Sequence, residues 1–191
     1  LADAPRATGS RPLTGSLQVL GRPGPAALAL ALFCLLVGLA WLRHGAGGRL
    51  AVLIPLLAAL SAVAVTDLCS FRIPDLVTLP GLVYALVTAA AGYQPAGLVR
   101  ALVGLLVCGG LLLVAAVVTR GGIGGGDIKL MALLGAALGW ERGLVALAAS
   151  QVVGAVGGVT VWAFRGRRAA RLVPVGSLMA VTGALLLILN P

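Results

Sequence analysis

Two aspartates stand at the ends of apolar segments, and their pairing is the chemistry this chain can do. Asp67 closes one long apolar run. Asp127 opens another, inside Gly121-Gly122-Ile123-Gly124-Gly125-Gly126-Asp127-Ile128-Lys129. The acidic residues number only five, Asp3, Asp67, Asp75, Asp127 and Glu141, so each one near a bilayer boundary is a functional-site candidate. Two carboxylates sharing one proton suit peptide hydrolysis: the ionised one takes a proton from water, and the protonated one donates to the carbonyl oxygen. Close like charges and partial desolvation both raise one pKa of such a pair, and the values belong to the pair as a unit. Asp75 competes for the same role. Pro74 just before it marks a helix start, however, and Asp75 is well placed to cap or begin that helix.

These carboxylates must be positioned by membrane helices. The chain is 60% hydrophobic and 10% charged, too apolar for an ordinary soluble domain. Its apolar runs repeatedly approach the ~20 residues that cross a bilayer. The expected fold is all-α, a polytopic transmembrane helix bundle of about six to eight spans. Seven are read: Pro25–Leu42, Leu50–Thr66, Leu76–Ala91, Leu98–Thr119, Ile128–Trp140, Gly143–Phe164 and Leu172–Leu189. The fifth is short and extends naturally backward into the Gly-rich stretch. Residues 1–24, rich in Gly, Pro, Ser and Arg, read as a flexible N-terminal tail, and residues 25–191 as one membrane-embedded domain. Gly104, Gly135, Gly139, Gly154, Gly157 and Gly158 suit close helix packing in lipid. Cys34 and Cys108 read as small core residues, and without a C-x-x-C pair no zinc site is expected. Neither a metal nor a cofactor is called for.

Counting spans tests the pair. Two spans separate Asp67 from Asp127, so both face the same side of the membrane. On that side also fall Arg6, Arg11, Arg22, Arg72, Arg120, Lys129, Arg165, Arg167, Arg168 and Arg171, against Arg43, Arg49, Arg100 and Arg142 on the other. This imbalance makes the aspartate side cytoplasmic. The net charge of +9 then reads as topology signal and attraction to anionic lipid headgroups, with no aromatic-basic patch for nucleic acid. His44, the single histidine, falls on the opposite side, which disfavours a His-based serine or cysteine mechanism.

Around the pair, Gly124 and Gly126 allow close backbone approach and positive φ. Asp127 lies near a helix N-terminus, where it also reads as an ordinary cap behind a flexible Gly-rich loop. The loop lacks the Gly-Lys-Ser/Thr ending of a phosphate-binding loop. Lys129 reads as a residue snorkelling to the interface, with a charge able to bias the pair or position substrate.

The sequence resembles the type IV prepilin peptidases of the A24 type, which belong to the GxGD class of intramembrane aspartyl proteases. Thr66-Asp67-Leu68-Cys69-Ser70-Phe71-Arg72-Ile73-Pro74-Asp75 resembles the family's Asp segment, and Gly124-Gly125-Gly126-Asp127-Ile128-Lys129-Leu130 its GxGD segment. Leu79-Pro80-Gly81 fits a Leu-Pro-Gly run early in the third span. Val173-Pro174-Val175-Gly176-Ser177-Leu178 resembles a weaker Pro-Phe-Gly-Pro segment, with Ser177 in place of the second Pro. Asp75 stands where Asn is usual, and the basic run after Asp67 is reduced to Arg72. The resemblance implies Asp67 and Asp127 as the catalytic pair, with Gly124, Gly126, Lys129, Arg72 and Pro74 in support. It implies a prepilin or pseudopilin precursor as substrate, cut after Gly on the cytoplasmic side of a bacterial-type plasma (inner) membrane. Such enzymes serve type IV pilus and protein secretion systems. The chain looks like a short form, without the cysteine-containing domain associated with N-methylation. Two other readings stand beside it. Another GxGD protease would carry a late Pro-Ala-Leu segment, and a proton- or cation-coupled transporter would favour carboxylates at mid-membrane in repeated halves.

Overall fold

The computed structural model describes residues 20–94, 97–120, 122–165 and 174–189. The tail up to residue 19, with Arg6 and Arg11, and the basic cluster at 166–171 lie outside the described residues, as does the side chain of Arg165. Among the described residues there are seven helices and no strand. They are α1 (Pro23–His44), α2 (Gly48–Ser70), α3 (Asp75–Ala90), α4 (Gly97–Val118), α5 (Gly125–Leu138), α6 (Trp140–Arg165) and α7 (Val175–Leu189). Each matches one segment expected from the apolar runs. Four are long and apolar enough to cross a membrane: α1, α2, α4 and the Trp140–Thr160 part of α6. Their outward faces carry large apolar side chains, such as Leu30 and Leu42 on α1, Leu106 and Val117 on α4, and Val152 and Val156 on α6. Such faces are stable against lipid tails.

α5 is different. It is short, and from Leu130 to Leu138 it is apolar all round with nearly every residue buried. A helix of this kind belongs in the interior. It packs against α3, α4, α6 and α7. It reaches back to Gly125, as its shortness led us to expect, but it ends at Leu138 rather than Trp140. Gly139, at φ 80°, takes the left-handed turn that stops it, and the Gly139 amide donates to the Gly135 carbonyl at 2.9 Å. Gly139 therefore serves the turn.

The small residues decide how close α4 and α5 come. A Cβ on Gly104 would collide with the Gly135 carbonyl oxygen, and one on Gly135 with the Gly104 carbonyl. Midway, Leu105–Gly109 forms a π-helical turn in α4, facing α5. Gly154 makes ordinary contact with Leu178, whereas Gly157 has nothing within 4 Å, so it is not a packing position here. Cys108 is buried as expected, but Cys34 is exposed, because the face of α1 that carries it has no partner helix.

Side-chain bonds tie α3 to α2 and α1 to α7. Tyr84 Oη on α3 donates to the Val52 carbonyl of α2 at 3.1 Å, one turn from Pro55. His44 Nε2 at the end of α1 donates to the Ile188 carbonyl at the end of α7, at 2.9 Å. The second bond marks one end of the bundle. The C-terminal end of α2 and the N-terminal ends of α3, α5 and α7 form the other.

Candidate active site

Asp67 lies in the last turn of α2, 6% exposed. The helix then ends abruptly. Phe71 takes a left-handed conformation, φ 52°, and its amide donates to the Asp67 carbonyl at 2.8 Å. This turn delivers Ile73 and the buried Pro74 to the start of α3. Pro74 is the N-cap of α3 and Asp75 its first helical residue, so the helix starts where the proline requires. Arg72 is exposed on the turn.

Asp127 is the third residue of α5. The N-cap is Gly124, so the capping role considered for Asp127 does not hold. Its carboxylate instead reaches back towards the Gly124 amide, the acidic half of a capping box. Gly124 has φ −68°, and neither it nor Gly126 has positive φ; what the site requires of Gly126 is the absence of a side chain. A Cβ there would stand 2.8 Å from Ile73 Cβ. Ile73 is thus wedged against α5 beside Asp127.

A third element completes the arrangement. Gly176 and Ser177, in the first turn of α7, present their backbone amides to Asp67, with Ser177 N–H donating to Asp67 Oδ2 at 2.7 Å. A Cβ on Gly176 would lie 2.7 Å from Ile73 Cδ1 and 3.0 Å from the Asp67 carboxyl. Ile73, Gly176 and Ser177 were not named as site residues from sequence. The signal available was the Pro174-Val175-Gly176-Ser177 segment, whose small residue and position at a helix start permit this contact.

Asp127, outside the four candidate spans, has its carboxyl pushed up to about 6. Burial is the larger cause and the nearby Asp67 charge the second; the Gly124 amide works against both. The two carboxylates therefore sense each other at one end of the bundle.

Lys129, read from sequence as snorkelling to the interface, is half-exposed, and its Nζ lies 2.6 Å from Asp75 Oδ2. The pair ties α5 to α3 and neutralises the third carboxylate at this end. His44 and Glu141 lie at the opposite end, on the last residue of α1 and in the first turn of α6. No group of three or more His, Cys, Asp or Glu among the described residues is arranged to hold a metal ion. An apolar groove of about 390 Å³ runs between α2 and α3, from Leu76 beside Asp75 towards Tyr84 and Pro55.

The sequence of residues 54–159, more than half the chain and including both aspartates, matches the model of the type IV leader peptidase family. The chain belongs to this family. Its members matched among curated proteins include the prepilin leader peptidase/N-methyltransferase of Aeromonas salmonicida, 36% identical over 143 residues, covering 71% of this chain and 48% of the relative. The protein of the same description in Bacillus subtilis is 36% identical over 122 residues, 62% of this chain and 48% of the relative. That of Burkholderia pseudomallei is 38% identical over 167 residues, 83% and 49% respectively. The chain spans about half the length of the curated relatives it matches. No solved structure matches it.

Proposed function

We propose that this family member is a membrane aspartic endopeptidase that removes the leader peptide of type IV prepilin-like precursors, with Asp67 and Asp127 as the catalytic pair. The observation that supports the reading is that two carboxylates, on the last turn of α2 and the first turn of α5, lie at one end of an apolar bundle, with the Asp67 charge raising Asp127. In this mechanism the pair activates a water for attack on the scissile carbonyl. One carboxylate removes its proton while the other protonates the carbonyl oxygen. The relatives' shared description as prepilin leader peptidases supports the substrate class. The excess of Arg and Lys on the aspartate side supports a cytoplasmic active site in a bacterial inner membrane. The groove between α2 and α3 opens beside Asp75 and suits the apolar helix that follows the cut in such a precursor. Gly124, exposed just before α5, leaves backbone near Asp127 accessible to an extended peptide, Gly126 makes room for Ile73, and Arg72 and Pro74 shape the turn beside Asp67.

The test is cleavage of a co-expressed precursor by the unaltered chain and by Asp67→Asn and Asp127→Asn variants at matched membrane levels. Loss of cleavage in both variants is expected. Cleavage that survives either change would refute the two-aspartate mechanism.

A further inference from the structure

We infer that the two carboxylates have unequal, fixed roles: the Ser177 amide holds Asp67 as the ionised base, and Asp127 keeps the proton that is given to the substrate carbonyl. This rests on the aspartic peptidase reading above and adds an assignment that symmetry of the pair leaves open. The asymmetry is geometric. Asp67 Oδ2 accepts the Ser177 N–H at 2.7 Å, with the Gly176 amide alongside. Both amides belong to the first turn of α7, where N–H groups have no helical acceptor and the helix dipole favours a negative charge. An N–H can only donate, so this contact rewards the ionised form of Asp67. Burial bears on both carboxyls, so what differs is the surroundings: Asp67 is met by two amides of α7, whereas Asp127 is met by the Gly124 amide alone and faces the Asp67 charge.

The other charged groups at this end, among the described residues, leave the asymmetry in place. Asp75 and Lys129 neutralise each other at 2.6 Å. Arg22 is exposed at the start of α1, Arg72 is exposed on the turn, Arg120 is exposed beyond the end of α4, and α7 carries no charged residue between Val175 and Leu189. Cys69 on α2 is exposed.

The reaction then runs in one direction. The water oxygen bonds the carbonyl carbon as its proton passes to Asp67, and the Asp127 proton passes to the carbonyl oxygen. As the diol collapses, the C–N bond breaks. Asp67 gives its proton to the leaving amine, and Asp127 recovers one from a diol hydroxyl. Each carboxyl ends as it began.

Ser177 acts here as a positioning residue through its backbone, which separates the test from side-chain effects. Ser177→Pro removes the N–H. Pro is compatible with the first turn of a helix, and the Pro-Phe-Gly-Pro segment that this stretch resembles carries Pro at that place. Ser177→Ala keeps the N–H and loses only the Oγ bond to the Pro174 carbonyl, 2.7 Å. The experiment is the pH profile of kcat/KM for a synthetic precursor peptide, with the full chain in lipid nanodiscs. In Ser177→Pro the acid limb moves up by about one pH unit, a roughly tenfold loss on the acid flank, while the alkaline limb stays. The Ser177→Ala profile superimposes on the parent. An unmoved acid limb in Ser177→Pro, or a moved alkaline limb, overturns the assignment. If Ser177→Pro does not fold, the unaltered chain decides: a diazo reagent esterifies the protonated carboxyl, and mass mapping of the ester to Asp127 supports the assignment, to Asp67 overturns it. Failure of the aspartic reading itself is distinguishable, because cleavage would then survive Asp67→Asn or Asp127→Asn.

Discussion

Gly176→Ala tests whether Asp67 is placed by contact with α7. The added Cβ would stand 2.7 Å from Ile73 Cδ1 and 3.0 Å from Asp67 Cγ and Oδ2. Carbon atoms pack at about 3.5–4.0 Å, so separations of roughly 0.5–1 Å must be found. Ile73 Cδ1 is the far end of a side chain and can rotate away. The Asp67 carboxyl has less freedom, since it sits in the last turn of α2 and is held by the Ser177 amide at 2.7 Å. The displacement therefore falls on the proposed catalytic carboxyl or on its hydrogen bond. A catalytic group misplaced by about 1 Å costs on the order of 10²-fold, so kcat should fall about 10–100-fold. KM should move little, because Gly176 lies against Asp67 and Ile73 rather than in the groove. Overpacking of this size costs about 1–3 kcal/mol of stability, which a thermal unfolding scan on the same sample measures separately. Gly154→Ala, whose Cβ meets Leu178 Cδ1 at an ordinary 3.6 Å, is the control for a small-residue change on a neighbouring helix. A folded Gly176→Ala protein that cleaves at the parental rate would refute the reasoning. So would full recovery on adding Ile73→Val, which trims the 2.7 Å contact and leaves the Asp67 contact in place.

Other consequences follow from the same contacts. With the Asp127 carboxyl at about 6, cleavage should fall as pH rises through that value, because the proton donor is lost; a rate still rising past pH 7 would contradict the role. The stability sign is fixed by the same shift. The native carboxyl keeps its proton above the ordinary 3.8, so its stabilising contribution is full below that value and is lost as pH rises through about 6. Asp127→Asn should thus gain stability relative to the parent between pH 4 and pH 7 in parallel unfolding scans. Gly104→Ala should lower the unfolding temperature by driving a methyl into the Gly135 carbonyl, at a cost of about 1–3 kcal/mol or more, whereas Gly157→Ala, with open space around it, should be neutral or slightly stabilising. The Lys129–Asp75 pair, with side chains 42% and 39% exposed, should show a coupling of only about 0–1 kcal/mol in a double-mutant cycle. A much larger value would mean that the pair is more than a tie between α5 and α3.

The seven helices were legible because apolar length and the residues that interrupt it are local properties. Pro74 and Gly139 stop or start helices through their own backbone geometry, and the order of segments alone puts Asp67 and Asp127 at one end. Asp127 in the first turn of a helix behind glycines was equally local. The use of those glycines was not. Whether a glycine serves a turn, a close crossing or nothing depends on which backbone comes opposite, and Gly139, Gly104 and Gly157 illustrate the three cases.

The sequence by itself thus determined the apolar helices, their order and the placement of two aspartates at one end of the bundle. Tertiary structure alone decided that α5, short and from Leu130 to Leu138 apolar on every face, is buried against four neighbours, that Lys129 is spent on Asp75, and that Ile73 is wedged between Gly126 and Gly176. It also decided the bond that distinguishes the two aspartates, from an amide 110 residues further along the chain. The physical reason is one of range. Hydropathy fixes where a helix lies along the chain, but its rotation and neighbours come from interlocking side chains and missing ones, contacts that exist only once distant segments meet.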